Sequence, residues 1–375
     1  MKTSTEEISI KRVLVKGLLL FIFINLAFAP INPISFIGRL SAYNLLFPGR
    51  VRLPYSDKPD QAYNLSLFSL DAMFASHELA AGAKPVNEFR VLLIGDSSVW
   101  GFLLKPEDTL AAYINGLNLH LGNGKAVRTY NLGYPTLSLT KDLLILSDAM
   151  QYQPDMIIWL ITLESFPRDN QLDSPIVQHN PSQVRDLITT YSLNLNPQDP
   201  AFVVNSFWDN TLIGQRRALA DIFRLQFYGI MWAATGIDQY YPATYEPPQE
   251  DLAADESFHQ LLPPTLKPED IAMDTLVAGR TMAGNIPIFF INEPIYLSHG
   301  ENSNIRYNFF YPRWAYDQYR QILAQNCQQN GWNCLDVWNL VVPGEFTNSA
   351  IHMTPLGTQL LAERVGNAIL TIPNP

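Results

Sequence analysis

"RVLLIGDSSVWG" (Arg90–Gly101) is an apolar run that breaks into Gly-Asp-Ser-Ser and then turns apolar again. Val91–Ile94 has the length and character of a buried strand, and the polar tetrad stands where that strand would leave its sheet. Two readings fit the stretch itself. It can be a turn, with Gly95 supplying backbone freedom and Asp96 or a serine capping a following helix. It can also present Ser97 as a nucleophile at the C-terminal edge of a parallel sheet. The surrounding sequence has to separate the two.

Downstream, the pattern alternates. "FRVLLIG" (Phe89–Gly95), "AVRTYNLG" (Ala126–Gly133), "DMIIWLITL" (Asp155–Leu163), "IPIFFIN" (Ile286–Asn292) and "NCLDVWNLV" (Asn333–Val341) read as strands. Between and after them, Thr109–Leu121, Leu139–Tyr152, Pro268–Gly284, Arg313–Cys327 and Pro355–Leu370 read as helices. Fully apolar strands suit a parallel sheet covered on both faces. Five of them alternating with helices predict a doubly wound parallel five-stranded sheet of the three-layer α/β/α kind. Ligands in such sheets sit beyond the C-terminal strand ends, where Ser97 falls.

Upstream, Lys11, Arg12 and Lys16 precede the uncharged run Gly17–Gly38, about long enough to cross a bilayer core of roughly 20 residues. Ala27-Phe28-Ala29 resembles a signal-peptidase site, but Pro30 follows directly and disfavours cleavage, so an uncleaved signal anchor is expected. Lys2, Lys11, Arg12 and Lys16 before the run face Arg39, Arg50 and Arg52 after it, with Glu6 and Glu7 on the first side. This slight bias predicts the N-terminus inside and the body outside. The expected organisation is a cytoplasmic N-terminus and transmembrane anchor over 1–38, a tether over 39–88 and an α/β domain over 89–372. Pro48, Gly49, Pro54 and Pro59 break the tether, with a short helix around Leu65–Leu79.

An insertion of about 165–265 interrupts the alternation. In it, Gln215–Gly236 places Leu219, Ile222, Phe223, Phe227, Ile230, Met231 and Ala234 on one helical stripe, expected to pack on the core. The alternatives are a cap over the site or a surface lying on the membrane. Tyr241–Pro264 is acidic, proline-rich and expected to be a loop.

The formal charge of −10 argues against a nucleic-acid partner, which needs a basic footprint. There is no Cys/His cluster with metal spacing, and "GDSSVWG" lacks the repeated glycines of a phosphate loop, so neither metal nor nucleotide cofactor is expected. Cys327 and Cys334 can form a disulfide or lie as two buried thiols. Of the six histidines, His77 lies in the tether, His120 in a helix, and His179, His259 and His299 in irregular segments. Only His352 follows the last strand and precedes a helix, which puts it on the same sheet edge as Ser97.

Three stretches together resemble the SGNH, or GDSL-like, hydrolases. "GDSSVWG" (Gly95–Gly101) is similar to that family's first block, "NLGYP" (Asn131–Pro135) to its second and "SAIHMTPLG" (Ser349–Gly357) to its last. The resemblance covers roughly residues 89–165 and 285–372. It implies Ser97 as nucleophile, His352 as base, and the Ser97 and Gly133 amides as oxyanion donors. It implies a serine esterase or O-acyltransferase acting on acyl groups, acetyl among them, of cell-surface or exported polysaccharide, with an acylated glycan or small ester as substrate. Two departures favour the alternative, a catalytically inactive binding or scaffold protein on the same fold. Glu164 stands where the third block carries Asn; an ionised carboxylate only accepts hydrogen bonds, although a neutral one could donate. Ser349 stands where the last block carries Asp, leaving Glu345, Asn348, a backbone carbonyl or Glu164 itself to orient His352.

Overall fold

Five parallel strands run in the order β2-β1-β3-β4-β5 in the computed structural model, which describes residues 9–47 and 49–371. Lys2, Glu6, Glu7 and Pro48 lie outside the described residues. The strands are β1 (Glu88–Ile94), β2 (Ala126–Asn131), β3 (Met156–Ile161), β4 (Ile288–Asn292) and β5 (Asn333–Asp336). Successive residues alternate between two apolar clusters, as the period of a strand requires. Leu92, Ile94, Ile157, Trp159 and Ile161 join one face; Val91, Leu93, Met156, Ile158 and Leu160 join the other. The helices Leu139–Ala149, Met273–Ala283 and Arg313–Asn330 cover the first face, and Leu110–Gly116 and Pro355–Thr371 cover the second. This is the expected doubly wound, three-layer arrangement.

The strand order reverses at β1 and β3, which are adjacent although β2 separates them in sequence. A crevice opens beyond the carboxyl ends of two strands at such a switch point. β5 is shorter than its apolar run implies: Val337 already leaves the ladder, and Val341 serves the core from a turn. Cys327 and Cys334 form a disulfide, Cα to Cα 6.2 Å, tying the helix Arg313–Asn330 to β5. At the opposite edge, the chain before β2 folds back on it, with Leu121 N–H donating to Lys125 O and Val127 N–H to Leu119 O.

Residues 39–88, expected to be a tether, pack into the body. The breakers do confine helix to short pieces such as Leu70–Ser76, but Leu53, Leu70, Met73 and Phe74 join the first-face core. Two of the three arginines counted after the apolar run are buried here. Arg50 donates to Asn64 Oδ1, and Arg52 forms a fork on Asp238 at 2.6 and 2.7 Å. Arg52 also donates to the carbonyls of Gly101 and Leu104, just beyond the Gly-Asp-Ser-Ser turn. Sequence could not place these arginines, because their partners lie up to 186 residues away.

The helix Ile10–Ile31 has 22 residues and is long and apolar enough to cross a membrane. In the 165–265 segment, the helix Arg216–Thr235 buries Ile222, Leu225 and Gly229. The stripe expected to pack on the core is instead largely exposed at Phe223, Phe227, Ile230 and Met231. The amphipathic pattern was real, but it carries two apolar faces, and the narrower one meets the body.

Replacing Arg52 by Met should destabilise the protein by about 3–5 kcal/mol, because it strands a buried Asp238. Arg39→Met, at an exposed pair with Asp71, should cost at most about 1 kcal/mol. Denaturation midpoints of the two detergent-solubilised variants against wild type provide the measurement.

Candidate active site

β1 ends at Ile94, and the next residues make the turn that both sequence readings described. Asp96 Oδ1 accepts from Ser98 N–H at 2.8 Å and so caps the short helix Ser97–Trp100. The cap and an accessible serine are compatible: Asp96 is buried, while Ser97 is only partly buried at the carboxyl end of β1. Ser97 Oγ lies 2.7 Å from His352 Nε2. A long-range fold has joined residues 255 apart at hydrogen-bond distance.

His352 comes from the segment between β5 and the last helix. Its backbone carbonyl accepts from Thr347 N–H at 2.8 Å, and Phe346 bridges Met353, which fixes the turn. Phe102 packs on the imidazole with ring centroids 4.9 Å apart. The other ring nitrogen, Nδ1, is buried without a hydrogen-bond partner. None of the proposed orienting groups reaches it. Glu345 instead accepts from Thr354 Oγ1, and Ser349 Oγ accepts from Ile351 N–H at 3.4 Å. With burial unopposed by any carboxylate, the imidazole is pushed down to about 4. It is therefore neutral at pH 7, and Nε2 can act as acceptor when the proton sits on Nδ1.

Glu164 follows β3 at the same sheet edge, as its register implies, but it is occupied. Its Oε1 pairs with His259 Nε2 at 2.9 Å. The hydrogen bond and charge of Glu164 raise His259 against the opposing effect of burial. The Glu164 carboxyl is thus engaged by His259 rather than held free beside Ser97. Glu164 is also not the orienter of His352, whose Nδ1 is free of partners. Instead it ties the acidic loop Tyr241–Pro264 to the end of β3.

Gly133 lies against the helix of Ser97. A Cβ there would fall 2.4 Å from Trp100 N, so only glycine allows this approach. Its N–H donates to Asn131 Oδ1 at 3.0 Å, and the Asn131 amide donates in turn to Val99 O at 2.8 Å. The amide expected to serve an oxyanion is thus engaged within the protein in this structure.

Beneath the turn lies a buried charge cluster that the sequence did not reveal. Lys141 Nζ donates to Gly95 O at 2.8 Å, Tyr134 O at 3.0 Å and Asp142 Oδ1 at 2.5 Å. Trp159 Nε1–H donates to the other Asp142 oxygen at 3.0 Å. Glu293, the residue after β4, accepts from Ser98 Oγ. Burial, reinforced by the Asp96 charge, pushes the Glu293 carboxyl well above the ordinary carboxylate range. Its signal was a carboxyl at the end of an apolar strand, "FFINE"; that of Lys141 was a Lys-Asp pair opening an apolar helix. Among the described residues, no group of three or more His, Cys, Asp or Glu is arranged to hold a metal ion.

No family model and no curated protein matches the chain. Solved structures do. A putative lipolytic protein of the G-D-S-L family from Desulfitobacterium hafniense is 11% identical, with a TM-score of 0.34, over 74% of this chain and 98% of that one. A carbohydrate acetylesterase family member from Sinorhizobium meliloti is 11% identical, with a TM-score of 0.33, over 75% and 96%. A catalytic mutant of an acetylxylan esterase from Geobacillus stearothermophilus is 12% identical, with a TM-score of 0.33, over 75% and 93%.

The Glu164 pair makes a direct prediction. The His259 imidazole should titrate above 6.5 in wild type and fall in Glu164→Gln, followed by NMR of labelled histidines. A raised histidine stabilises the fold below its unfolded value and loses that contribution as pH rises through its folded midpoint. The gap in melting temperature between wild type and Glu164→Gln should therefore narrow from about pH 6 to 9.

Proposed function

We propose that the chain is a membrane-anchored serine esterase or O-acyltransferase of the SGNH type. The observation that carries this reading is the 2.7 Å contact between Ser97 Oγ and His352 Nε2 at the switch point of the sheet. Ser97 Oγ attacks an acyl carbonyl, and His352 Nε2 takes the hydroxyl proton. The Ser97 N–H, at the start of its helix, is among the amides such a helix leaves for an oxyanion. Collapse of the tetrahedral intermediate expels the alcohol, which leaves with the proton held by His352. Water or a sugar hydroxyl then resolves the acyl-serine, with His352 as base again. The sequence resemblance and the apolar N-terminal helix support acyl groups, acetyl first, on cell-surface or exported polysaccharide as the substrate class. They also support a body on the outer side of the membrane.

The orphaned Nδ1 of His352 favours a second reading, a binding or scaffold protein that no longer turns over. A triad acid fixes the tautomer and stabilises the imidazolium, and its loss in a worked protease case costs ~10⁴ in turnover. Labelling separates the two. A fluorophosphonate should modify wild type at Ser97 and leave Ser97→Ala unlabelled; absence of label on wild type while a control serine esterase reacts supports the scaffold.

The same imidazole sets the pH dependence. With His352 down at about 4, hydrolysis of an activated acetyl ester should be flat from about pH 5 to 8 and fall only near pH 4. Ser349→Asp, three residues before the histidine, should raise turnover by ~10²-fold or more and move that acid limb upward, because a carboxylate beside the imidazole favours its charged form. An unchanged profile in Ser349→Asp would mean the new carboxylate does not reach Nδ1.

A further inference from the structure

The apolar stripe that the helix Arg216–Thr235 leaves uncovered does not stand alone. Phe223, Phe227 and Met231 recur at helical spacing and are 53%, 66% and 41% exposed. The preceding loop adds Val204, Phe207 and Trp208, of which Trp208 is 69% exposed. A shallow apolar groove lined by Leu212, Ile213, Leu219 and Phe223 joins loop to helix. These residues form one exposed apolar stretch rich in Trp and Phe rather than singly scattered side chains.

Its place beside the N-terminal helix identifies the occupant. Ile213 N–H donates to Asn25 Oδ1 at 2.9 Å, and Leu212 N–H approaches Asn25 O at 3.5 Å. Asn25 lies six residues before Ile31, the end of the apolar helix, or about 9 Å along its axis at 1.5 Å per residue. If that helix crosses the bilayer, the loop touching Asn25 sits at the depth of the headgroup and acyl boundary, where interfacial helices bury their apolar faces by about 5–10 Å. The helix Arg216–Thr235 is held there by its other face. Ile222 and Leu225 are buried, and Gln226 Oε1 accepts from Tyr43 N–H at 3.3 Å. Arg216 and Arg217 open this helix beside the stripe in a chain of net charge −10, which suits lipid phosphates, while Arg224 pairs with Asp221 at 2.8 Å.

We propose that the surface formed by residues 204–213 and the outer stripe of Arg216–Thr235 docks into the bilayer alongside the N-terminal span. The protein then has two membrane attachments, one crossing and one lying in the interface. The inference rests on the span and not on the esterase chemistry.

Nitroxide labels test it in the full-length chain, whose two native cysteines are joined and leave no thiol to compete. Phe227→Cys and Trp208→Cys are labelled separately and reconstituted in phosphatidylcholine–phosphatidylglycerol vesicles. Leu20→Cys in the span and Glu363→Cys on the opposite face of the sheet serve as lipid and water references. Docking predicts a several-fold higher ratio of oxygen to water-soluble nickel collisions at 227 and 208 than at 363. A ratio at 227 and 208 equal to that at 363, with 20 reading lipid, overturns the docking. A water-like ratio at 20 overturns the span and the docking with it. Mutual dipolar broadening of labels at 227, without lipid contact, assigns the surface to a second copy and also overturns the proposal.

Discussion

The ammonium of Lys141 ties together the turns that follow β1 and β2 and, through Asp142, reaches Trp159 within β3. Burying it fully costs several kcal/mol, which only complete hydrogen bonding recovers. It has that: one carbonyl just past β1, one just past β2, and the Asp142 carboxylate, whose second oxygen holds Trp159 of β3. The Gly95 carbonyl belongs to the turn that aims Ser97. Asp96 and Glu293 crowd the same space, and burial raises both carboxyls above their ordinary range. The placement of the serine is thus set from below, by groups buried beneath its turn.

From above, the loop after the Ser97 helix is fixed by Arg52 and Gln239. Gln239 donates to the carbonyls of Gly101 and Leu104 and accepts from Leu103 N–H at 2.8 Å. Phe102, carried on this loop, packs on His352. Packing of this kind supplies orientation to an imidazole that has no acid behind it, and it does so without raising its basicity.

Strands, helices and the serine–histidine pair were legible in sequence because each had a local signature. β1 and β3 are apolar runs of strand length, and His352 alone of the histidines follows a strand and opens a helix. The misread parts depend on distance. Prolines in 39–88 correctly forecast short elements, yet nothing local told that Arg52 would find Asp238. Glu164 was correctly put at a strand end, but its partner His259 arrives from a loop with no periodic pattern. In the helix Arg216–Thr235 the moment of the sequence pointed to the wider apolar face, whereas burial followed the small surface around Gly229.

An open parallel sheet has two unpaired edges, and each invites a strand from another molecule. Here the β2 edge is taken by the chain's own returning backbone around Leu119 and Leu121. The β5 edge is only four residues long, ends in Asp336 engaged by Arg320, and is tied at Cys334 to its covering helix. Neither edge offers a long, flat row of free amides. Edges blunted in this way give the sheet of another copy nothing to pair with, so sheets brought close together are not templated into aggregation.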